Sequence, residues 1–310
     1  MCLSTKKLSP AGKKRFSSAV WSFFRAVLLI GLAFVVLYTV VYMLVVSFRD
    51  PKEMMNPAVT WITRTFTLEN YHYAIKFLDY GSAFFRSFIL TLGCTLLQCF
   101  TCAVTGYGFA RFKFKGNGIL FACALLTMLV PTQTIMMPQF INYVRFSNVT
   151  GIELIDTPLP MMLNAILGMG LRSGLFVYLS RQFYKNLPKE LEEAAYIDGC
   201  GPIKAFFKVA LGSSWSIILV IFLLSFVWYW NDYYTTTMFY SSAKPLSLEL
   251  SNLHSVLNTG RMDNGDPFVF SHVVVILESG ALLFLAPVLI LYMVLQKRFT
   301  QSITDSAIVG

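Results

Sequence analysis

Hydrophobic positions in this chain fall in long unbroken runs, not in the alternation of half-buried strands or the narrow stripe of a surface helix. A helix crosses a hydrocarbon layer about 30 Å thick with about 20 apolar residues, each adding about 1.5 Å. Six segments reach or approach that length. Residues 26–47 hold no charge, exceed the core of a cleaved signal peptide and lack a small-residue cleavage site, so they read as an uncleaved first span. Residues 87–110 form the second and 116–144 the third, which Pro131 and Pro138 are predicted to end before Val144. The fourth, 158–183, carries Arg172; the fifth is 214–238; the sixth, 268–296, carries Glu278. The pattern predicts an all-α integral membrane chain with six transmembrane helices. Between the spans, Thr67-Leu-Glu-Asn70 has the order of a capping box, with Asn in its weak fourth place.

Composition agrees, since 56% of the 310 residues are hydrophobic and 13% charged, well below the charge of soluble domains. The net charge of +9 admits nucleic acid, anionic lipid or plain topology as its cause, and position decides. With the N-terminus in the cytosol, inside segments carry 16 cations against five anions, outside segments eight against nine. That is the positive-inside asymmetry, with both termini cytoplasmic, and it leaves no basic patch for nucleic acid. Of six cysteines, at 2, 94, 99, 102, 123 and 200, none falls in an outside segment, so no disulfide framework is expected. Cys99-Phe-Thr-Cys102 has metal or redox spacing but lies in an apolar run without a second ligand pair, and reads as packing. His72, His254 and His272 have no paired-ligand spacing, so neither a metal site nor a membrane enzyme is expected.

The loop over residues 186–212 is unusual. Pro188 suits a first helical turn, and Glu190, Glu192 and Glu193 place anions where a helix N-terminus favours them. Leu191, Ala194 and Ala195 share one face, and Asp198-Gly199 stops the helix with a residue suited to a left-handed cap. Gly201-Pro202 opens a second short helix striped by Ile203, Phe206, Phe207 and Ala210. The reading is a helix–turn–helix with an exposed small-residue ridge that calls for a partner protein.

Glu193-Ala-Ala-x-x-Asp198-Gly199, followed by Phe206, resembles the EAA loop of permease subunits in ATP-binding-cassette importers. With Phe66-Thr-Leu-Glu-Asn70, residues 106–116, residues 188–195 and Trp230-Asn-Asp232, the chain resembles the smaller permease of the maltose-type, binding-protein-dependent carbohydrate importers over about residues 25–300. Cys200 stands where that family usually has Ala, Gly212 where a Pro is common, and the tail from Thr304 departs further. The resemblance implies a type I ABC importer permease fold in the prokaryotic cell membrane. Residues 1–25 would form a cytoplasmic segment, 26–300 one permease domain with coupling loop 186–212, and 301–310 a cytoplasmic tail. It also implies half of a sugar pore, with Glu193, Ala194, Ala195, Asp198, Gly199 and Phe206 in the ATPase contact. Implied partners are a larger permease, two ATP-binding subunits and an extracellular sugar-binding protein. The chain has no G-x-x-x-x-G-K-[ST] loop, so ATP and magnesium belong to those partners and the chain is not itself an enzyme.

Charges inside spans are costly unless paired or facing water. Arg172 and Glu278 are therefore candidates to pair with each other or to line the pore, and Tyr229, Trp230, Asn231 and Asp232 to contact sugar or to form an interfacial aromatic belt. Polyol phosphates remain an alternative cargo; a secondary transporter would predict inverted repeats, and none is visible.

Overall fold

The computed structural model describes residues 10–56 and 63–308, with side chains for residues 18, 20–56 and 63–297. Cys2, Lys6 and Lys7 lie outside the described residues, as do the side chains of the predicted tail from residue 301. The chain is helical throughout this range, with only two isolated β-bridges, Arg49 to Phe66 and Arg261 to Pro267.

Helix α1 (Pro10–Ser47) leads to α2 (Glu69–Phe77), α3 (Tyr80–Arg111), α4 (Asn117–Leu129), α5 (Thr132–Thr150), α6 (Leu159–Ile166) and α7 (Ser173–Asn186). There follow α8 (Glu190–Ile197), α9 (Pro202–Ala205), a π-helical turn over Phe206–Ala210, and α10 (Leu211–Ser213). Then come α11 (Trp215–Trp230), α12 (Tyr234–Phe239), α13 (Leu246–Thr259) and α14 (Phe270–Ile308). Among the described residues, three helices are long and apolar enough to cross a membrane unaided: Val20–Ser47, Tyr80–Arg111 and Phe270–Lys297. Two bent pairs qualify together, α4 with α5 at 105° and Pro202–Ser213 with α11 at 75°.

The remaining predicted span departs from expectation. Residues 158–183 are not one helix, because α6 stops at Ile166 and α7 starts at Ser173, with Gly168 and Arg172 between them in the left-handed region at φ 75° and 58°. The third span also differs: Pro131 breaks it, but Pro138 is absorbed inside α5, which runs on to Thr150. The capping box over Thr67–Asn70 does not form: Leu68 holds the N-cap position of α2 without a side-chain bond, and the Thr67 hydroxyl makes only a local turn, accepting from the Glu69 amide at 3.1 Å. Asn70 is buried instead, donating to the carbonyls of Ser47 (2.9 Å) and Arg49 (2.8 Å) and so satisfying the end of α1.

Helix α3 is the centre of the bundle, lying against α7, α11 and α6. Its tightest approach is at Gly106, where a Cβ would sit 2.3 Å from Cβ of Ser180 on α7. Small residues let two backbones meet there without a solvophobic drive, the usual solution in lipid. One apolar core joins α1, α2, α13 and α14 through Val46, Tyr73, Leu253 and Ile276, with Trp230 stacked on Phe226 at 5.9 Å. A second, at the end that bears the α8–α9 hairpin, gathers Ala103, Tyr107, Tyr184, Phe206 and Ala210. Cys99 and Cys102 pack beside Phe176 and Ile221. Most of α1 is bare, in keeping with a helix apolar on every side.

Candidate functional site

The hairpin of α8 and α9 forms where the sequence places it. Lys189 caps α8, with Glu190, Glu192 and Glu193 in its first turn, and Gly199 turns the chain at φ 78°. Amide bonds from Asp198 to Ala194 O (3.0 Å) and from Cys200 to Ala195 O (2.9 Å) close the helix end, a left-handed glycine cap.

The faces are distributed differently from the ridge inferred above. Glu193, Ala194, Asp198 and Gly199 are exposed, whereas Ala195 is 6% and Phe206 5% exposed, covered by this chain itself. Phe206 packs on Tyr107 at 4.8 Å between ring centres, so it anchors the hairpin to α3. The uncovered apolar surface is Leu191, Ala194, Ile197, Ile203 and Phe207, with Ile197 86% and Ile203 77% exposed.

Glu192, which the sequence marks only as a favourable charge at a helix N-terminus, is a buried anchor of the hairpin. Its carboxylate accepts from Arg111 Nε at 2.8 Å and from the Tyr107 hydroxyl at 3.4 Å, with the Arg111 and Glu192 side chains 8% and 7% exposed. A second Arg111 nitrogen donates to Leu187 O at 2.8 Å. The last residue of α3 is thus bolted to both the entry and the first turn of the hairpin. A buried pair with its hydrogen bonds satisfied holds geometry, and removing one partner strands the other.

In the bundle, three breaks lie around one space. Val130-Pro131 between α4 and α5, Leu171-Arg172 before α7, and Asn231-Asp232-Tyr233 after α11 line a cavity of about 480 Å³. A smaller one of about 80 Å³ shares Met128, Val130, Thr132, Leu171 and Arg172 with it and reaches Gln139, Ser173 and Tyr229. In a chain that spans a membrane, non-helical backbone is tolerated only when buried in protein or facing a water-filled path, and these three breaks share the lining of one cavity.

The candidate residues of the spans have distinct fates. Arg172 is exposed and its guanidinium lies 4.7 Å from the centre of the Trp228 ring. The pair of Arg172 with Glu278 does not form, and neither residue has an ion-pair partner among the described residues. Glu278 is half-buried on α14 and lines neither cavity. Tyr229 is buried, its hydroxyl accepting from the Leu171 amide at 3.3 Å. Trp230 is also buried and donates to Phe284 O at 3.1 Å. Asn231 is exposed, returning its amide to Val227 O at 2.8 Å. Asp232 caps α12, accepting from the Thr236 amide (2.8 Å) and hydroxyl (2.9 Å) and from the Thr235 hydroxyl.

On the far side of the bundle from the hairpin, carboxylates clasp loops. Glu53 accepts from the Thr63 hydroxyl, the Arg64 amide, and the amide and hydroxyl of Thr65, and Asp156 accepts from the amide and hydroxyl of Ser242. The Thr65 hydroxyl is the largest cause that holds the Glu53 carboxyl down at about 2, and the Ser242 hydroxyl likewise lowers Asp156.

Residues 103–305 match the family described as binding-protein-dependent transport system inner membrane component. The chain is 25% identical over 300 residues to the arabinooligosaccharides transport system permease protein AraQ of Halalkalibacterium halodurans, covering 96% of this chain and 100% of that one. It is 24% identical over 230 residues to the sn-glycerol-3-phosphate transport system permease protein UgpE of Yersinia pestis bv. Antiqua, 73% of this chain and 74% of that one. In structure it is similar to a chain of a bacterial ABC transporter involved in the import of the acidic polysaccharide alginate, with TM-score 0.73 and 18% identity over 95% of this chain and 100% of that chain.

Proposed function

The chain belongs to the family of binding-protein-dependent transport system inner membrane components, and from that premise we propose that it forms half of the pore of an ATP-driven carbohydrate importer. It is a membrane-embedded, non-catalytic transport component with the permease fold of ABC importers. The carbohydrate cargo is supported by relatives named for oligosaccharide transport, and a polyol phosphate by the relative named for glycerol phosphate. On this reading the broken α6–α7 unit counts as a span, giving six crossings, with both termini and the α8–α9 hairpin in the cytosol as the Lys and Arg distribution requires. Residues 26–300 then form the permease domain, flanked by cytoplasmic segments 1–25 and 301–310.

The observation that carries the reading is the hairpin over 186–212. It presents bare apolar side chains away from the bundle while Arg111–Glu192 and Phe206–Tyr107 fix it to α3. A surface like that receives force from a partner and passes it to a helix. Two ATP-binding subunits, which carry the ATP and magnesium, would grip Glu193, Ala194, Asp198 and Gly199, with Ala195 and Phe206 setting the geometry from inside. Their closure would tilt α3 and α7 and open a conduit to sugar delivered by an extracellular binding protein, with a larger permease supplying the other half.

Because Ala195 is covered within the chain, Ala194 is the position at which to test docking. Ala194→Trp should leave insertion and pairing with the second permease intact but lose the ATPase subunits on purification and lose sugar-stimulated ATP hydrolysis. Full ATPase retention and full uptake in Ala194→Trp would overturn the coupling role of this loop.

A further inference from the structure

One cation, Arg172, and one carboxylate, Asp232, line the two cavities. Arg172 stands at the N-terminus of the 14-residue α7, where helix amides add positive potential, and has no carboxylate partner among the described residues. Its guanidinium rests on the Trp228 face, an arrangement that holds the plane while leaving its N–H edges open to a bidentate acceptor. Beside it, Ser173 is 3% exposed, lines the smaller cavity, and its hydroxyl has no hydrogen-bond partner; Gln139 Nε2 in the same cavity has none either. Asp232 is the one carboxylate lining the two cavities, and Thr235 and Thr236 already engage it. Ser173 and Gln139 line the smaller cavity of about 80 Å³, and Arg172 lines both that cavity and the one of about 480 Å³, so the hydroxyl and amide donors meet the cation where the two adjoin.

Buried donors without acceptors are costly, and a free cation at membrane depth more so, so such a site is built for an anion that passes through. We propose that Arg172, with Ser173 and Gln139, forms an acid-selective subsite in the conduit, taking a carboxylate or phosphate group on the cargo. This deepens the importer reading and rests on it: the carbohydrate carried is an acidic one, a uronate-bearing or phosphorylated sugar or polyol.

The test uses the assembled importer, purified through a tag on this chain, placed in discs of neutral phosphatidylcholine and held with ATP and vanadate, without the binding protein. Calorimetric titrations compare digalacturonate with neutral galactobiose, and glycerol 3-phosphate with glycerol. An acidic probe should bind more tightly than its neutral counterpart, and which acidic probe is tighter separates carboxylate from phosphate. Arg172→Gln should weaken the acidic probe about 10- to 100-fold, the range for a hydrogen bond to a charged group, and leave the neutral one unchanged. Arg172→Lys, which keeps charge but not the fork, should fall between and shows that the site still folds. Equal binding of acidic and neutral probes, or an acidic affinity indifferent to Arg172→Gln, would overturn the subsite and leave Arg172 to a partner's carboxylate. Binding of neutral probes alone, with ATPases present, would overturn it too while sparing the importer reading; a purified chain without ATPase subunits would overturn that reading instead.

Discussion

Consider cutting the bolt between α3 and the hairpin. Arg111→Met leaves the Glu192 carboxylate, 7% exposed, with only the long bond from Tyr107. Stranding one member of a buried pair typically costs about 3–5 kcal/mol, whereas replacing both members by apolar side chains is close to neutral. At about 1.4 kcal/mol per tenfold change, the single variant shifts local opening by two to three decades or more. Helix α8 has eight residues and buries only Glu192 and Ala195, so little else resists. The amides of residues 190–197 in Arg111→Met should therefore exchange hydrogen near their unprotected rates, and Glu192→Met should do the same. The double variant should regain protection, giving a coupling energy of about 2 kcal/mol or more in the cycle. In reconstituted importer, sugar moved per ATP should fall in each single variant and recover in the double. If Arg111→Met leaves protection of 190–197 unchanged, or the two losses simply add, the pair does not hold the hairpin.

Other outcomes follow from single positions. Gly106→Val places side-chain atoms inside the contact with Ser180 and the Arg181 amide; overpacking should cost about 1–3 kcal/mol or more and lower the melting temperature of the detergent-solubilised chain, while Gly108→Ala, with open space around its Cβ, should not. Gly199→Val forces a β-branched residue to φ 78°, so ATPase subunits should be lost on purification, whereas Gly201→Ala, at φ −73° with nothing near its Cβ, should retain them. The Glu53 clasp has a folded pKa near 2, below the ordinary value of 4.5, so its stabilisation is complete above that ordinary value and is lost as pH falls towards 2. Exchange of the Arg64 and Thr65 amides, corrected for intrinsic rate, should be flat from neutral pH to about that ordinary value and then rise, with the step absent in Glu53→Gln.

How much of this was legible in the sequence depended on whether the cause was local. The long helices α1, α3 and α14 follow from apolar run length alone. The Gly199 turn follows from residue type and position. The break in the fourth span did not show, because hydropathy counts side chains, whereas the break is set by backbone at Gly168 and Arg172. Glu192 was read as a favourable charge at a helix N-terminus, but its partner lies 81 residues earlier and was read as topology. Ala195 and Phe206 sit on stripes that look outward on a helical wheel, yet both are buried; Phe206 is covered by Tyr107 of α3 and Tyr184 of α7, distant elements absent from any local pattern. Trp230 and Tyr229 adjoin polar residues and so resembled a binding surface, yet each spends its polar atom on a backbone group.

The bareness of α1 has a consequence for how the protein is made. The end of that helix is held by Asn70, made soon after it, and by the Ser279 hydroxyl, which donates to Ser47 O at 3.2 Å across 232 residues of chain. Its neighbour α14 is the last of the described helices to be made. At about 5–20 residues per second, the first helix waits roughly 10–50 s in the bilayer before that neighbour exists. A helix with a polar stripe would spend that interval exposing unpaired groups to lipid or sticking to whatever passed. One that is apolar on every side can wait as a monomer until α14 arrives to dock against it.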